Sequence, residues 1–194
     1  MKCGVCGINT ENSNTCEFCG NSVLKVPLIS DVDIEQYKQK LNHFRQKLFD
    51  PGQFEIEGDV IVKYKGNSEI AIVPRNIRVI ASHCFARSQI KKVLIPSSVE
   101  FIGNNPDESE DEDNNGAFWA CRELEQVFIE RKSRLSTIGN YAFFQCIKLC
   151  SIKGIPDKIK KIKSHAFSDC NLDAETIKNI KSVTLEIADN WNDK

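Results

Sequence analysis

The chain repeats a short pattern of apolar residues, and this repeat limits the possible folds more than any other feature of the sequence. Phenylalanines recur at Phe118, Phe143 and Phe167, at intervals of 25 and 24 residues, each directly after an alanine. An earlier copy runs from Ile72 to Pro96 and contains Cys84 and Phe85, and an acidic insertion explains the larger distance from Phe85 to Phe118. Repeats of this length predict a solenoid, in which successive coils stack on one another.

Each unit contains three segments that place apolar residues on one side. The first is a short extended stretch with two apolar residues three positions apart, such as Ile159 and Ile162. The second, Ala-Phe-x-x-Cys, predicts one tight helical turn whose phenylalanine fills the space between coils. The third alternates apolar and polar residues and predicts a strand, which ends at prolines such as Pro96 and Pro156. Because one unit cannot bury its apolar side alone, neighbouring units are expected to share one core.

These units resemble the BspA-like leucine-rich repeats, whose pattern is IPxxVxxIGxxAFxxCxxLxxVxIP. The resemblance covers residues 54–172 and recurs four times. It implies a mixed α/β repeat fold, a short leucine-rich-repeat solenoid with parallel strands on one face, and a role in adhesion or protein recognition instead of catalysis. Alternation in residues 54–67 predicts a β-hairpin that caps the first coil. Residues 173–179 and 182–187 predict one or two helical turns and an edge strand after the last coil.

Four cysteines near the N-terminus form two CxxC pairs, Cys3 with Cys6 and Cys16 with Cys19. Two such turns supply four sulfurs in a tetrahedron, which is the geometry of structural Zn²⁺ sites. We therefore predict one structural zinc ion in a small zinc ribbon over residues 1–24. The alternative is a pair of disulfides, which would need an oxidising compartment. The other five cysteines stand among apolar residues and are predicted to be buried as small hydrophobic groups: Cys84, Cys121, Cys146, Cys150 and Cys170.

An amphipathic helix is predicted between the ribbon and the repeats. Its apolar residues fall at helical spacing on one face: Ile34, Tyr37, Leu41, Phe44 and Leu48. The simpler interpretation is that this face packs on the N-terminal cap of the solenoid, and the alternative is that it dimerises or docks a partner. The predicted domains are the ribbon at 1–24, a linker and helix at 25–52, and the solenoid with its two caps at 53–194.

Charge and hydropathy limit the classes of partner and the cellular locations that we expect for the protein. The chain has 26 basic and 27 acidic residues, a balance that argues against a polyanion as its main partner. No segment resembles the apolar region of a secretory signal, and none approaches the roughly 20 apolar residues of a membrane span. We therefore expect a cytoplasmic protein without membrane association.

The sequence contains no recognisable catalytic constellation. The histidines His43, His83 and His165 stand apart, and no phosphate-binding glycine loop or dinucleotide motif occurs. A zinc ion held by four sulfurs leaves no open position for a catalytic water. We predict that the protein is not an enzyme. The acidic insertion at 104–116 is interpreted as a solvated loop, or alternatively as an electrostatic lure for a basic partner.

A partner-binding surface is predicted on the outward positions of the strands. Aligned units place Leu94, Phe128 and Lys153 in one outward ladder, and Lys92, Gln126 and Ser151 in the next. Two exposed apolar side chains with a charged rim are typical of an interface hot spot. The alternative is that the hairpin or the C-terminal tail covers them.

These features favour a non-enzymatic adaptor or a subunit of a larger assembly, which recognises a protein partner through the strand face. The alternative is a nucleic-acid-associated regulatory factor that combines the zinc ribbon with a basic stripe of four lysines: Lys158, Lys160, Lys161 and Lys163. Phosphate binding needs several cations on one surface, and the ribbon itself offers only Lys2.

Overall fold

The computed structural model describes residues 51–103 and 116–193. The chain divides into two units, Met1–Pro51 and Gly52–Lys194, and the second contains nearly all of the described residues. A 3₁₀ turn at Pro51–Gln53 opens the described part. Eleven strands and one α-helix follow within the described ranges: β1 (Phe54–Glu57), β2 (Val60–Tyr64), β3 (Ile70–Ile72), β4 (Val79–Ile80), β5 (Lys92–Ile95), β6 (Phe101–Ile102), β7 (Gln126–Ile129), β8 (Thr137–Ile138), β9 (Ser151–Lys153), β10 (Ile159–Ile162), α1 (Ala174–Val183) and β11 (Thr184–Ile187).

The strands form two sheets. From β3 to β10, successive strands along the chain belong alternately to one sheet and to the other. The four-stranded sheet has the order β3-β5-β7-β9, and the seven-stranded sheet has the order β1-β2-β4-β6-β8-β10-β11. Every pairing is parallel except that of β1 with β2. The predicted parallel strands are confirmed. They occupy two faces instead of one, since the short extended stretch of each unit also pairs.

The predicted N-terminal hairpin is confirmed by the antiparallel pair β1–β2. Phe54 pairs with Tyr64, and the register shifts between Glu55 and Ile56, where the strand bulges. β1 lies at the edge of the seven-stranded sheet. A bulge and exposed glutamates hinder pairing with another chain, so this edge strand is protected from edge-to-edge association.

The Ala-Phe turns form a third set of hydrogen bonds between coils. The amide of Phe118 donates to the carbonyl of Ala142 at 2.7 Å, and that of Phe143 donates to Ala166 at 2.8 Å. Residues on both sides of the turns at Phe85, Phe143 and Phe167 adopt positive φ angles, as at Tyr141 (53°). The predicted helical turn is thus a tight turn held in place by the next coil.

Phenylalanine rings stack in a column through the solenoid. Phe85, Phe118, Phe143 and Phe167 are each fully buried, and neighbouring ring centroids lie 4.6 to 5.1 Å apart with interplanar angles below 10°. At the C-terminal end, Trp191 meets Phe167 edge-on with a centroid distance of 5.7 Å. The prediction that these phenylalanines fill the space between coils is confirmed.

The repeated cysteines form a ladder beside the phenylalanines. The thiol of Cys121 donates to the carbonyl of Phe85 at 2.9 Å, and that of Cys146 donates to Phe118 at 3.1 Å. Cys170 repeats the contact to Phe143. Of the five cysteines predicted to be buried, all but the half-buried Cys150 are buried. They are not only small hydrophobic groups, because these thiols also satisfy carbonyls of the preceding coil.

The C-terminal helix and strand close the repeats. Helix α1 begins after Asp173, whose carboxylate accepts a hydrogen bond from the amide of Thr176 at 2.6 Å. The Thr176 hydroxyl accepts from the amide of Ile152 in β9 at 3.4 Å, so α1 lies along the edge of the four-stranded sheet. β11 adds a parallel strand to β10. The predicted helical turns and edge strand are confirmed, and the helix extends further than predicted, to Val183.

Candidate functional site

The outward positions of the four-stranded sheet form two ladders, which we call the strand face. Pairing between neighbouring strands confirms the predicted register of both ladders. It also adds β3 to each of them. The strand face comprises Ile72, Leu94, Phe128 and Lys153 in one ladder and Ile70, Lys92, Gln126 and Ser151 in the other. The residues between them, such as Val93 and Val127, point into the core.

The predicted exposure of Leu94 and Phe128 is wrong. Their exposed fractions are only 7% and 5%, although both side chains lie outside the main core cluster. The ammonium group of Lys153 lies 5.9 Å from the Phe128 ring centroid and shields part of that ring. Alternation in a strand determines the direction of a side chain but not the contacts that it meets there. The centre of the strand face is therefore apolar and sheltered from water.

The strand face contains no acidic side chain, although the chain as a whole is nearly neutral. Its charged members are Lys92, which is half-buried, and Lys153, which is exposed. Two carboxylates at the ends of these strands form ion pairs, Glu69 with Lys91 at 2.6 Å and Glu130 with Arg75 at 2.7 Å. The hydrogen bond to Glu69 raises the pKa of Lys91 above its usual value. Glu123 and Glu125 also lie close enough to act on Lys91, so acidic and basic side chains meet beside the strand face.

A groove of about 530 Å³ adjoins the strand face at its C-terminal end. It lies between β9 and α1, and its lining includes Lys153, Ile155, Thr176, Asn179 and Val183. Ser151 and Lys153 belong to both the groove and the strand face. The two features therefore form one continuous surface.

A second group of aromatic side chains was missed by the sequence analysis. On the outer side of the Ala-Phe turns, the Arg87 guanidinium lies 4.5 Å from the Trp119 ring centroid. Tyr141 stacks on His165 at 5.0 Å and meets Phe144 edge-on at 5.4 Å. The available signal was an aromatic residue directly before or after the Ala-Phe pair. Each of these rings contacts a neighbouring side chain of the same or the next turn, so they stabilise the turns instead of forming an open platform.

The histidines differ in their environments. His83 is exposed, whereas His165 is half-buried and hydrogen-bonded. One ring nitrogen of His165 lies 3.1 Å from the Ser168 hydroxyl, and the other lies 2.9 Å from the amide of Asn190. Ser168 is only 3% exposed, so a substrate has no access to its hydroxyl. The cluster joins the last coil to the previous one.

Several predicted features lie outside the described residues. These are the zinc ligands Cys3, Cys6, Cys16 and Cys19, the helix at 34–48, and most of the acidic insertion. Within residues 51–103 and 116–193, no group of three or more His, Cys, Asp or Glu side chains could hold a metal ion. The basic stripe follows β10, where Lys161 pairs with Glu186 at 3.1 Å. Among the helices of this described part, none is long and apolar enough to cross a membrane.

The repeats identify the family. A family model for the BspA-type leucine-rich repeat region matches six copies, over residues 53–106 and 112–189. The chain belongs to this family. The resemblance inferred from the sequence is confirmed, and the match extends beyond the four predicted copies into the C-terminal cap. Leucine-rich repeat proteins generally mediate protein–protein interactions and form a non-enzymatic repeat family.

A comparison with solved structures finds several leucine-rich repeat proteins. A leucine-rich cell surface protein of Faecalibacterium prausnitzii is 20% identical, with a TM-score of 0.41, over 73% of this chain and 43% of that one. A leucine-rich repeat protein of Bacteroides capillosus is also 20% identical, with a TM-score of 0.39, over 73% of this chain and 93% of that one. A leucine-rich repeat protein of T. pallidum is 16% identical, with a TM-score of 0.28, over 76% and 98%. This chain thus spans less than half of the first of these proteins.

A search of curated proteins finds no match to this sequence.

Proposed function

We propose that the protein is a non-enzymatic interaction module, acting as an adaptor or as a subunit of a larger assembly, and that the strand face binds its protein partner. The observation that carries this proposal is the composition of the face. Four of its eight outward side chains are apolar, two are lysines and none is acidic. A charged rim around an apolar centre is the usual arrangement of a protein interface.

The sheltered centre determines how a partner would bind. Lys92, Phe128 and Lys153 each already interact with other groups of the chain. A partner must therefore displace these existing contacts before it can bind the three side chains. Only the fraction of molecules in which the strand face is accessible binds at any moment. Lys92, Gln126 and Lys153 at the rim would orient the partner and accelerate its encounter, while Leu94 and Phe128 would supply apolar contact.

We also propose that residues 1–24 form a zinc ribbon and that the protein is cytoplasmic. Both proposals rest on the sequence: the two CxxC pairs provide four thiolates for a structural zinc ion. The ribbon would then be a second rigid element available for docking. No observation on the described residues favours the nucleic-acid alternative.

Affinity purification tests the role of the strand face. The tagged full-length protein is recovered from its source cells, and bound proteins are compared by quantitative mass spectrometry. The double variant Lys92→Glu, Lys153→Glu should lose the specific partner, and its thermal unfolding is measured in parallel to show that it is folded during the purification, because both lysines interact with other groups of the chain. Lys160→Glu is the matched control, since Lys160 is an exposed strand lysine of the other sheet. Retention of the partner by the double variant would refute the proposal.

A further inference from the structure

The outermost strands of the two sheets differ in how their edges are protected. β1 carries a bulge and exposed glutamates, α1 lies along the edge at β9, and β3 has only three residues. β11 is the remaining outermost strand, and among the described residues it pairs only with β10. It has four residues and contains no proline. A strand edge without these protections is a template for pairing with another strand.

Backbone carbonyls of β11 point towards this edge. In an earlier coil, the carbonyls of Ser136 and Ile138 accept amides of the next coil at 2.8 and 2.9 Å. The register of β8, β10 and β11 makes Leu185 and Ile187 the equivalents of these two residues. Within residues 51–103 and 116–193, no further strand follows β11 to supply amides to their carbonyls. An additional strand at this edge would satisfy both carbonyls.

An exposed leucine lies on the same strand. Leu185 is 75% exposed, which is the largest value among the large hydrophobic residues of the described part. The equivalent position of β10 is occupied by Lys160, a residue suited to water. Burial of an exposed leucine against another apolar surface is favourable. The side chain and the backbone of β11 thus both favour contact with another strand.

The charges on either side of β11 indicate which strand it binds. Lys178 and Lys181 are exposed shortly before the strand begins, and Asp189 is exposed two residues after it ends. If two copies of β11 pair in antiparallel orientation, the beginning of each lies beside the end of the other. The lysines of each copy then approach the aspartate of the other copy, once at either end of the contact. A parallel arrangement would bring like charges together.

We infer that β11 is a self-association site, through which two copies of the chain pair in antiparallel orientation about a two-fold axis. The two seven-stranded sheets then form one continuous sheet across the contact, and Leu185 of each copy contacts apolar side chains of the other. This inference goes beyond the proposed function and does not depend on the strand face, which belongs to the other sheet. The dimer presents two strand faces to a partner.

Sedimentation equilibrium of the full-length protein tests this association over about 1 to 100 µM, the range expected for a small interface. The wild-type protein should form a dimer that dissociates on dilution. Leu185→Lys should weaken the dimer by about tenfold or more, because it removes the apolar contact and adds a charge. Ile147→Lys is the matched control, since Ile147 is 52% exposed and lies outside the strands. It should leave the dimer unchanged, and circular dichroism shows whether both variants are folded.

An exchange of charges tests the two-fold arrangement. Lys181→Glu and Asp189→Lys should each weaken the dimer, because each places like charges together at both ends of the contact. An equimolar mixture of the two variants should dimerise again, because opposite charges then meet at both ends. The inference is overturned if the wild-type protein stays monomeric up to about 100 µM, or if Leu185→Lys and Ile147→Lys behave alike. A mixture of the charge variants that stays monomeric would also overturn it.

Discussion

At the scale of single residues, each phenylalanine in the column is held by rings on both sides. Phe143 lies between Phe118 and Phe167 at centroid distances of 4.8 and 5.1 Å. Removing it leaves a cavity that neither neighbour can fill without breaking its own stack, so Phe143→Ala should destabilise the protein by about 3–5 kcal/mol. Urea denaturation measures the change. Phe144→Ala is the control, because the adjacent Phe144 is only half-buried and should lose clearly less; equal losses would contradict this assignment of core positions.

The buried thiols predict a dependence of stability on pH. Burial raises the pKa of Cys84 and of Cys146 well above the ordinary value of 9.0. The unfolded thiols ionise as the pH passes about 9, while the folded ones stay protonated, so the folded state binds more protons and stability falls with rising pH. Replacing both with alanine should make this fall shallower between about pH 8 and pH 10, as measured by denaturation at each pH. An unchanged slope would contradict the prediction.

At the scale of strands and turns, the sequence predicts which residues point into the core. It predicts less well which contacts the outward-pointing residues make. The inward positions, the hairpin and the C-terminal helix and strand follow from periodicity and agree with the structure. The second sheet was not recognised, because strands of two residues such as β4 and β6 are too short to show alternation. The burial of Phe128 was not predicted either, since the Lys153 ammonium group that lies over its ring belongs to another strand.

A substitution at Phe128 tests whether alternation or the observed burial better describes this side chain. Alternation alone predicts that Phe128→Asp is harmless, whereas a side chain only 5% exposed predicts that the new carboxylate is poorly hydrated. Phe128→Asp should therefore destabilise the protein by about 3 kcal/mol or more. In the same ladder, Lys153→Asp should change stability by less than about 1 kcal/mol, because Lys153 is exposed. Thermal and urea unfolding compare the two, and a harmless Phe128→Asp would restore the original prediction of an exposed ring.

At the scale of the whole molecule, the zinc prediction concerns a part of the chain outside the described residues. Elemental analysis of purified protein should find one zinc ion per chain, since four thiolates complete a tetrahedral site. Cys3→Ser with Cys16→Ser should abolish this zinc, because loss of two ligands leaves too few donors. Cys150→Ser should retain it, as this residue belongs to the solenoid. Purified wild-type protein without zinc would exclude the site.

The acidic insertion interrupts one coil, and the neighbouring coil shows the length it would have without the insertion. Gly103 and Gly139 make the same hydrogen bond to the preceding coil, and Gly116 precedes Ala117 as Tyr141 precedes Ala142. Only Asn140 separates Gly139 from Tyr141, so deleting residues 105–115 leaves Asn104 in the equivalent place. The shortened chain should be as stable as the natural one or slightly more stable, because loop-closure entropy grows slowly with loop length and a shorter loop loses less.

Urea denaturation of the shortened chain measures this outcome, and a second substitution verifies the alignment of the coils. A Cβ atom at Gly116 would overlap the carbonyl of Tyr141. Gly116→Ala should therefore destabilise both the natural and the shortened chain, because both keep this close approach between coils. If the deletion alone lowers stability by several kcal/mol, the insertion contributes packing to the folded state and is not a simple solvated loop. If Gly116→Ala is harmless in the shortened chain, the coils have joined in a different register.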